Sequence, residues 1–349
     1  MLSINALGME SYTIVKKSLL SKIFRKERPF HPMNKLFQAT LLTTIFVVSS
    51  HAQTITTTTF GSGANAFSID FVEIGNPGNA ADTTGSPNPA GAVAYAYNIG
   101  MYEVSRDMIT KANAAGSLGI TLNDISSFGG NGVNRPATGV SWNEAARFVN
   151  WLNTSKGYQA AYNFTTSGVN DNITLWAAGQ YSGSNQFRHK DAYYFLPSMD
   201  EWYKAAYGSP SGTWYNYATG SDIAPSVVAS GTSGVVYNQS FASSNSPANI
   251  TNAGGLSPYG TMAQNGNVWE WNESAFDGSN NSASENRELR GGSWIGGSNN
   301  LVSSNRLSIS LTTENSYYGF RVASVPEPSS GLLVLLGLGA VLRGRRRRS

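Results

Sequence analysis

Asn265-Gly266-Asn267-Val268-Trp269-Glu270-Trp271 places two tryptophans on either side of a glutamate, three residues after a glycine. Rings of that size are core material, so Trp269 and Trp271 are expected inside. The plain reading of Glu270 is a buried, hydrogen-bonded corner between them. Downstream, Leu289-Arg290-Gly291-Gly292-Ser293-Trp294 adds another buried ring, Arg306 stands beyond it, and Gly319-Phe320-Arg321-Val322-Ala323 closes the series. Arg290, Arg306 and Arg321 are expected to pair with acidic groups or loop carbonyls and so hold irregular backbone together. Upstream lie Phe195-Leu196-Pro197-Ser198-Met199-Asp200-Glu201-Trp202-Tyr203-Lys204-Ala205-Ala206 and, after Arg135-Pro136, Val140-Ser141-Trp142-Asn143-Glu144-Ala145. Trp142 and Trp202 are expected in the core for the same reason.

These upstream segments carry the helices. Ser141 followed by Glu144 is a capping box, and Ala145, Phe148, Val149 and Leu152 continue it as an apolar stripe to Thr154. Ser198 and Glu201 repeat the device for a helix ending at Tyr207. A third helix is expected over Ser105 to Ala115, capped by Ser105. Ser68 to Ile74 alternates with period two and reads as a strand, and Ala92 to Tyr102 as a second. After Gly208 no long helix is expected, only short strands and loops, and there is no internal repeat. The Thr/Gly/Ala-rich stretch 53–66 reads as a flexible lead-in.

Composition removes several function classes. The 349 residues include no cysteine, which excludes disulfides, thiolate nucleophiles and thiolate metal sites. The net charge of +3 is an effect of the two ends, because residues 53–342 carry 12 basic and 19 acidic groups. With an acidic body, no nucleic-acid partner is expected.

Both ends read as addresses. Met33 to Ala52 has a lysine, an apolar run from Leu36 to Val48, and Ser50-His51-Ala52 before Gln53. That is the pattern of a secretory signal peptide cut by signal peptidase between Ala52 and Gln53. Residues 1–32 then read as a mis-called upstream extension with Met33 as initiator, or as a long basic leader region. At the other end Pro326-Glu327-Pro328 precedes an apolar run, Gly331 to Leu342, and five arginines. A dozen helical residues span roughly 18 Å, short of the ~30 Å of a bilayer core. Terminal arginines can snorkel and hold such a run as a transient stop. The order of features over 324–349 resembles the PEP-CTERM sorting signal, which implies an exosortase membrane protease as processing partner. An ordinary tail anchor would still leave the body outside the cytoplasm.

The ordered motifs over Phe67 to Ala323 resemble the formylglycine-generating enzyme, or sulfatase-modifying factor, family. Phe71 to Thr84 and Gly100 to Ser105 also look like the opening of members that carry this C-terminal signal. The resemblance implies an α+β domain of low regular secondary structure, related to the C-type-lectin-like fold. It also implies a calcium ion at Asn265, Gly266, Val268 and Glu270, with Gly266 and Val268 acting through carbonyls. A hard cation suits such an oxygen set. A second family calcium site begins at Ala248-Asn249-Ile250, so Asn249 and Ile250 are its candidates, although the loop with its later ligands is much shorter here.

The departures from the family are chemical. Active members hold copper through two cysteines after the GGS-aromatic motif, whereas Ile295 to Asn305 here reads IGGSNNLVSSN. Glycine, serine and asparagine supply no soft ligand pair, so no copper is expected. Related sulfoxide synthases use three histidines; this chain has His31, His51 and His189, the first two ahead of the expected cut. No catalytic Ser/His/Asp set or phosphate loop stands out, and nothing in the sequence brings Glu201, Glu270 and Glu288 together. Two functions remain: a non-catalytic binding or structural module of the envelope or extracellular matrix of a Gram-negative bacterium, with polysaccharide or peptide as ligand, or an enzyme of thiol-free chemistry on the same scaffold. A deep polar pocket near Ile295 to Asn305 would favour the enzyme.

Overall fold

The computed structural model describes residues 53–165, 173–240 and 246–326. In chain order the elements are β1 (Ile55–Phe60), β2 (Phe67–Ile74), β3 (Tyr97–Gly100), α1 (Arg106–Gly116), α2 (Trp142–Ser155), β4 (Asn163–Phe164), β5 (Ile173–Thr174), β6 (Tyr194–Phe195), α3 (Met199–Tyr207), β7 (Trp269–Ala275), β8 (Arg287–Arg290), β9 (Leu307–Ile309), β10 (Tyr318–Gly319) and β11 (Ala323–Ser324). This is the α+β arrangement expected, and the described part of 208–268 contains only turns and isolated bridges.

The capping signals place the helices. Ser141 Oγ accepts the Glu144 amide, and Glu144 Oε2 takes the Ser141 N–H at 2.8 Å, closing the box at the start of α2. Ser198 and Glu201 do the same for α3. Ser105 caps α1. The second expected strand shrinks from Ala92–Tyr102 to β3 alone.

The stretch 53–66 is not a flexible lead-in. β1 pairs antiparallel with β2 over its full length, from Ile55 opposite Val72 to Phe60 opposite Phe67. Thr57 Oγ1 donates to Asp70 at 2.6 Å, and the hydroxyls of Thr59 and Ser68 meet at 2.9 Å. The threonines that make the segment look like low complexity are β-branched and suit an edge strand, and Phe60 pins its end in the core.

Two sheets organise the rest. One has the order β1-β2-β3-β11-β6 and the other β10-β7-β8-β9. The last strand among the described residues, β11, therefore sits inside the first sheet: Ala323 faces Ile99 and Phe195, and Ser324 faces Asn98 and Tyr194. Between the sheets, the main core gathers Trp142, Phe148, Trp269, Trp271, Leu289 and Phe320 with the inner faces of α1 and α2. All seven residues of β7 are buried. Its period-two alternation sends Trp269, Trp271 and Ala275 into this core.

Candidate functional site

The loop before β7 turns on two left-handed residues, Gly266 (φ +75°) and Asn267 (φ +54°). A Cβ at Gly266 would lie 2.3 Å from the Val236 carbonyl oxygen, so only glycine fits there. Glu270 then points into a buried polar network. Arg321 donates to both its oxygens at 2.6 Å, and Trp202 Nε1 donates to Oε2 at 2.7 Å. The same guanidinium reaches the carbonyls of Gly100 (2.8 Å), Met101 (3.2 Å) and Met262 (2.7 Å). Arg321 thus gathers five oxygens, as a pairing role predicts. Arg290 and Arg306 behave alike: both pair with Glu288, and they reach the carbonyls of Ser303 and Phe276, each at 2.9 Å.

The four sequence-derived calcium positions do not all converge. Asn265 belongs to another network, its Oδ1 accepting from the Ala218 amide and its Nδ2 donating to the Leu301 carbonyl, both at 2.8 Å. Glu103 takes its place beside Glu270. It is buried, and it accepts from Asn267 Nδ2 at 2.5 Å and the Val268 amide at 3.3 Å. Burial, with the Glu270 charge next to it, pushes the Glu103 carboxyl well above the usual carboxylate range. Of these two buried carboxylates only Glu270 is hydrogen-bonded to Arg321, and its Oε1 retains a lone pair. Glu103 and Glu270 are the two carboxylates that could hold a hard cation at this corner, with oxygen ligands of the kind such an ion takes. At the second expected site Asn249 is exposed and its carbonyl closes a turn with Asn252, while the Ile250 amide bonds Asn134. Among the described residues no three His, Asp or Glu side chains gather as a metal set.

Ile295 to Asn305 is mostly half-buried, with Leu301 and Ser303 buried and Asn299 and Ser304 exposed. It forms a 3₁₀ turn at Ser298–Asn300, and Leu301 fills an apolar cluster with Tyr217, Val235 and Tyr237. The Leu301 carbonyl accepts from Tyr207 Oη at 3.0 Å. Its side chains offer neither thiolate nor imidazole, so this donor set does not fit copper.

The large cleft lies elsewhere, between the start of α3, β6 and the loop after β7, with a volume of about 670 Å³. Its floor is Arg188, stacked 3.7 Å over the Phe195 ring. Arg188 donates to both oxygens of Glu273 (2.7 to 3.0 Å) and to both of Glu201 (2.8 and 3.1 Å). Tyr95 Oη adds a bond to Glu201 at 2.7 Å, and Tyr162 Oη one to Glu273 at 2.9 Å. Burial alone would raise the Glu201 pKa, but the Arg188 charge together with the hydrogen bonds from Arg188, Ser198 and Tyr95 outweighs it and holds the group low. This closed cluster fixes the ring of Tyr95, which is 50% exposed at the cleft wall. Open polar groups stand around it. Asp200 uses Oδ1 for the Gly91 amide at 2.6 Å, and its Oδ2 has no partner among the described residues. The hydroxyls of Ser198 and Ser274 accept the Glu201 and Met199 amides and keep their own protons to donate. His189 also lines this cleft, edge-on to Trp176 at 4.7 Å.

Sequence reasoning missed Arg188, Glu273, Tyr95 and Glu103, of which only Glu103 lies in a segment that carries the resemblance, Gly100 to Ser105. Glu273 also carried a signal, being two residues beyond Trp271 on a strand. Of the terminal positions, Gln53 and Pro326 are described; Ala52, Glu327, Pro328, His31 and His51 lie outside the described residues. Among the described residues no helix is long and apolar enough to cross a membrane.

Comparisons with known proteins agree with this fold. The fold is similar to Treponema denticola variable protein 1, at 22% identity and a TM-score of 0.56, covering 78% of this chain and 100% of that one. It is also similar to the crystal structure of CarF, at 20% identity and a TM-score of 0.53, covering 74% and 99%. No curated protein matches the sequence. The PEP-CTERM protein-sorting motif matches residues 324–348, which marks the protein for export to the cell envelope and sorting by an exosortase. The sulfatase-modifying factor enzyme 1-like domain matches residues 65–325, and with most of its length covered the chain belongs to that family.

Proposed function

We propose that the domain is a non-catalytic binding module, displayed in the cell envelope or extracellular matrix, whose Tyr95–Arg188 cleft takes an extracellular polysaccharide. The observation that carries this reading is the contrast between two places. The segment that holds copper in active members is filled by Leu301 and its neighbours. The cleft at Tyr95 is open, and its aromatic wall stands beside the free hydroxyl protons of Ser198 and Ser274 and the free oxygen of Asp200. An aromatic face packs on the C–H face of a sugar ring, while hydroxyl and carboxylate groups bond its edge.

The test is titration of the protein with the producing cell's own extracellular polysaccharide and its oligosaccharide fragments by calorimetry. Tyr95→Ala is expected to weaken binding about tenfold, which is about 1.4 kcal/mol. Binding that is absent, or indifferent to Tyr95, overturns the reading.

A further inference from the structure

Val325 is the last of the described residues with a hydrogen bond to the body, its N–H bonded to the Tyr193 carbonyl at 2.9 Å. The sorting signal begins at this point. The surface around the exit is aromatic and basic. Tyr193 stacks on Tyr158 with ring centroids 4.6 Å apart and planes 15° from parallel. Tyr158 is 40% exposed and Val325 41%. Lys156 precedes Tyr158 by two residues, Lys190 precedes Tyr193 by three, and both are exposed; Asp191 is the acidic group beside them.

Chain length sets where this surface can go. Gly331, the first residue of the apolar run, lies six residue steps beyond Val325. At full extension they reach about 20 Å. If the apolar run enters the bilayer, the exit face stays that close to the lipid headgroups. Tyrosine and lysine are the residue types that settle at such an interface, the ring among the headgroups and the ammonium toward the phosphates. A few side chains bind a membrane weakly, but a short tether raises their effective concentration into the millimolar range.

We propose that in the uncut precursor the Tyr158–Tyr193–Val325 face docks on the membrane surface, with Lys156 and Lys190 directed at lipid phosphates. This rests on reading the C-terminal signal as membrane-inserted. Lys190 and Val325 also line the large cleft, so docking covers one wall of it and cutting the signal uncovers it.

The absence of cysteine makes the test clean. Full-length precursor carrying Tyr158→Cys or, separately, Lys190→Cys is labelled with a fluorophore and reconstituted in phosphatidylcholine/phosphatidylglycerol vesicles containing spin-labelled lipid. Ile223→Cys, at a residue 79% exposed and outside the cleft lining, is the control. Quenching at 158 and 190 is expected to exceed that at 223 several-fold and to disappear when the body is released by proteolysis after residue 326. Equal quenching at all three positions in precursor that floats with the vesicles overturns the docking. Precursor that does not float at all defeats the membrane reading of the signal, and the docking with it.

Discussion

Arg321 and Glu270 meet through two hydrogen bonds of 2.6 Å, Nε to Oε2 and Nη2 to Oε1, with neither side chain exposed. The pair joins the strand end before β11 to β7, and the guanidinium also ties down three loop carbonyls. Removing one partner strands the other charge in the interior, at about 3–5 kcal/mol. Glu270→Ala and Arg321→Met are each expected to lower stability by that amount in urea unfolding. A loss below about 1 kcal/mol for either would show that the corner is held by packing alone.

Legibility followed range along the chain. Ser141 with Glu144 and Ser198 with Glu201 are contacts three residues apart, so both helix starts could be read directly. The second role of Glu201, holding Arg188 and Tyr95, joins residues 13 and 106 positions away, and no local pattern announces it. The candidate cation corner failed in the same way: Asn265 is near in sequence but committed elsewhere, and Glu103 arrives from 164 positions upstream of Asn267. At β1 composition misled, because a threonine run is also a run of good strand formers.

Calcium is expected to raise the melting temperature over that in chelator. A ligand bound only by the folded state adds about 2.7 kcal/mol at a hundredfold excess over its Kd, several degrees for a domain of this size. Glu103→Gln should shrink the difference, because it removes a carboxylate that could bind the ion. Asn265→Ser should lower the baseline and leave the difference intact. Coincident melts of the unmodified protein with and without calcium would show that Glu103 meets its charge with a proton instead.

Lys204 gives the fold a pH dependence. Its side chain is buried, with Nζ bonded only to the Asn76 carbonyl at 2.9 Å, and burial lowers its pKa to about 8. The unfolded chain therefore binds this proton more tightly than the folded one. Stability from this group rises with pH between about 8 and the ordinary lysine value near 10.4, and is lost as pH falls back through 8. Lys204→Met should flatten that slope. Denaturation midpoints measured from pH 7 to 10 on both proteins would show it, and parallel curves would rule Lys204 out as the source.

The last strand should be indispensable although it is two residues long. β11 lies between β3 and β6, so Ala323 and Ser324 bond to strands on both sides. Losing them exposes backbone donors and acceptors on β3 and β6 at once, where loss of an edge strand would expose one. The two strands so joined come from residues 97–100 and 194–195, far apart in the chain, and nothing else pairs them directly. A protein ending after Val322 is thus expected to be largely unfolded or to melt far below the parent. One ending after Pro326, with Val325 still bonded to Tyr193, should melt with it. The comparison isolates four residues, and circular dichroism melts read it directly. If the chain ending at Val322 melts normally, β3 and β6 close on each other without β11. Retained stability only in the longer chain would place the limit of tolerable processing between Val322 and Pro326, so that an exosortase cut after Pro326 or beyond leaves the sheet whole.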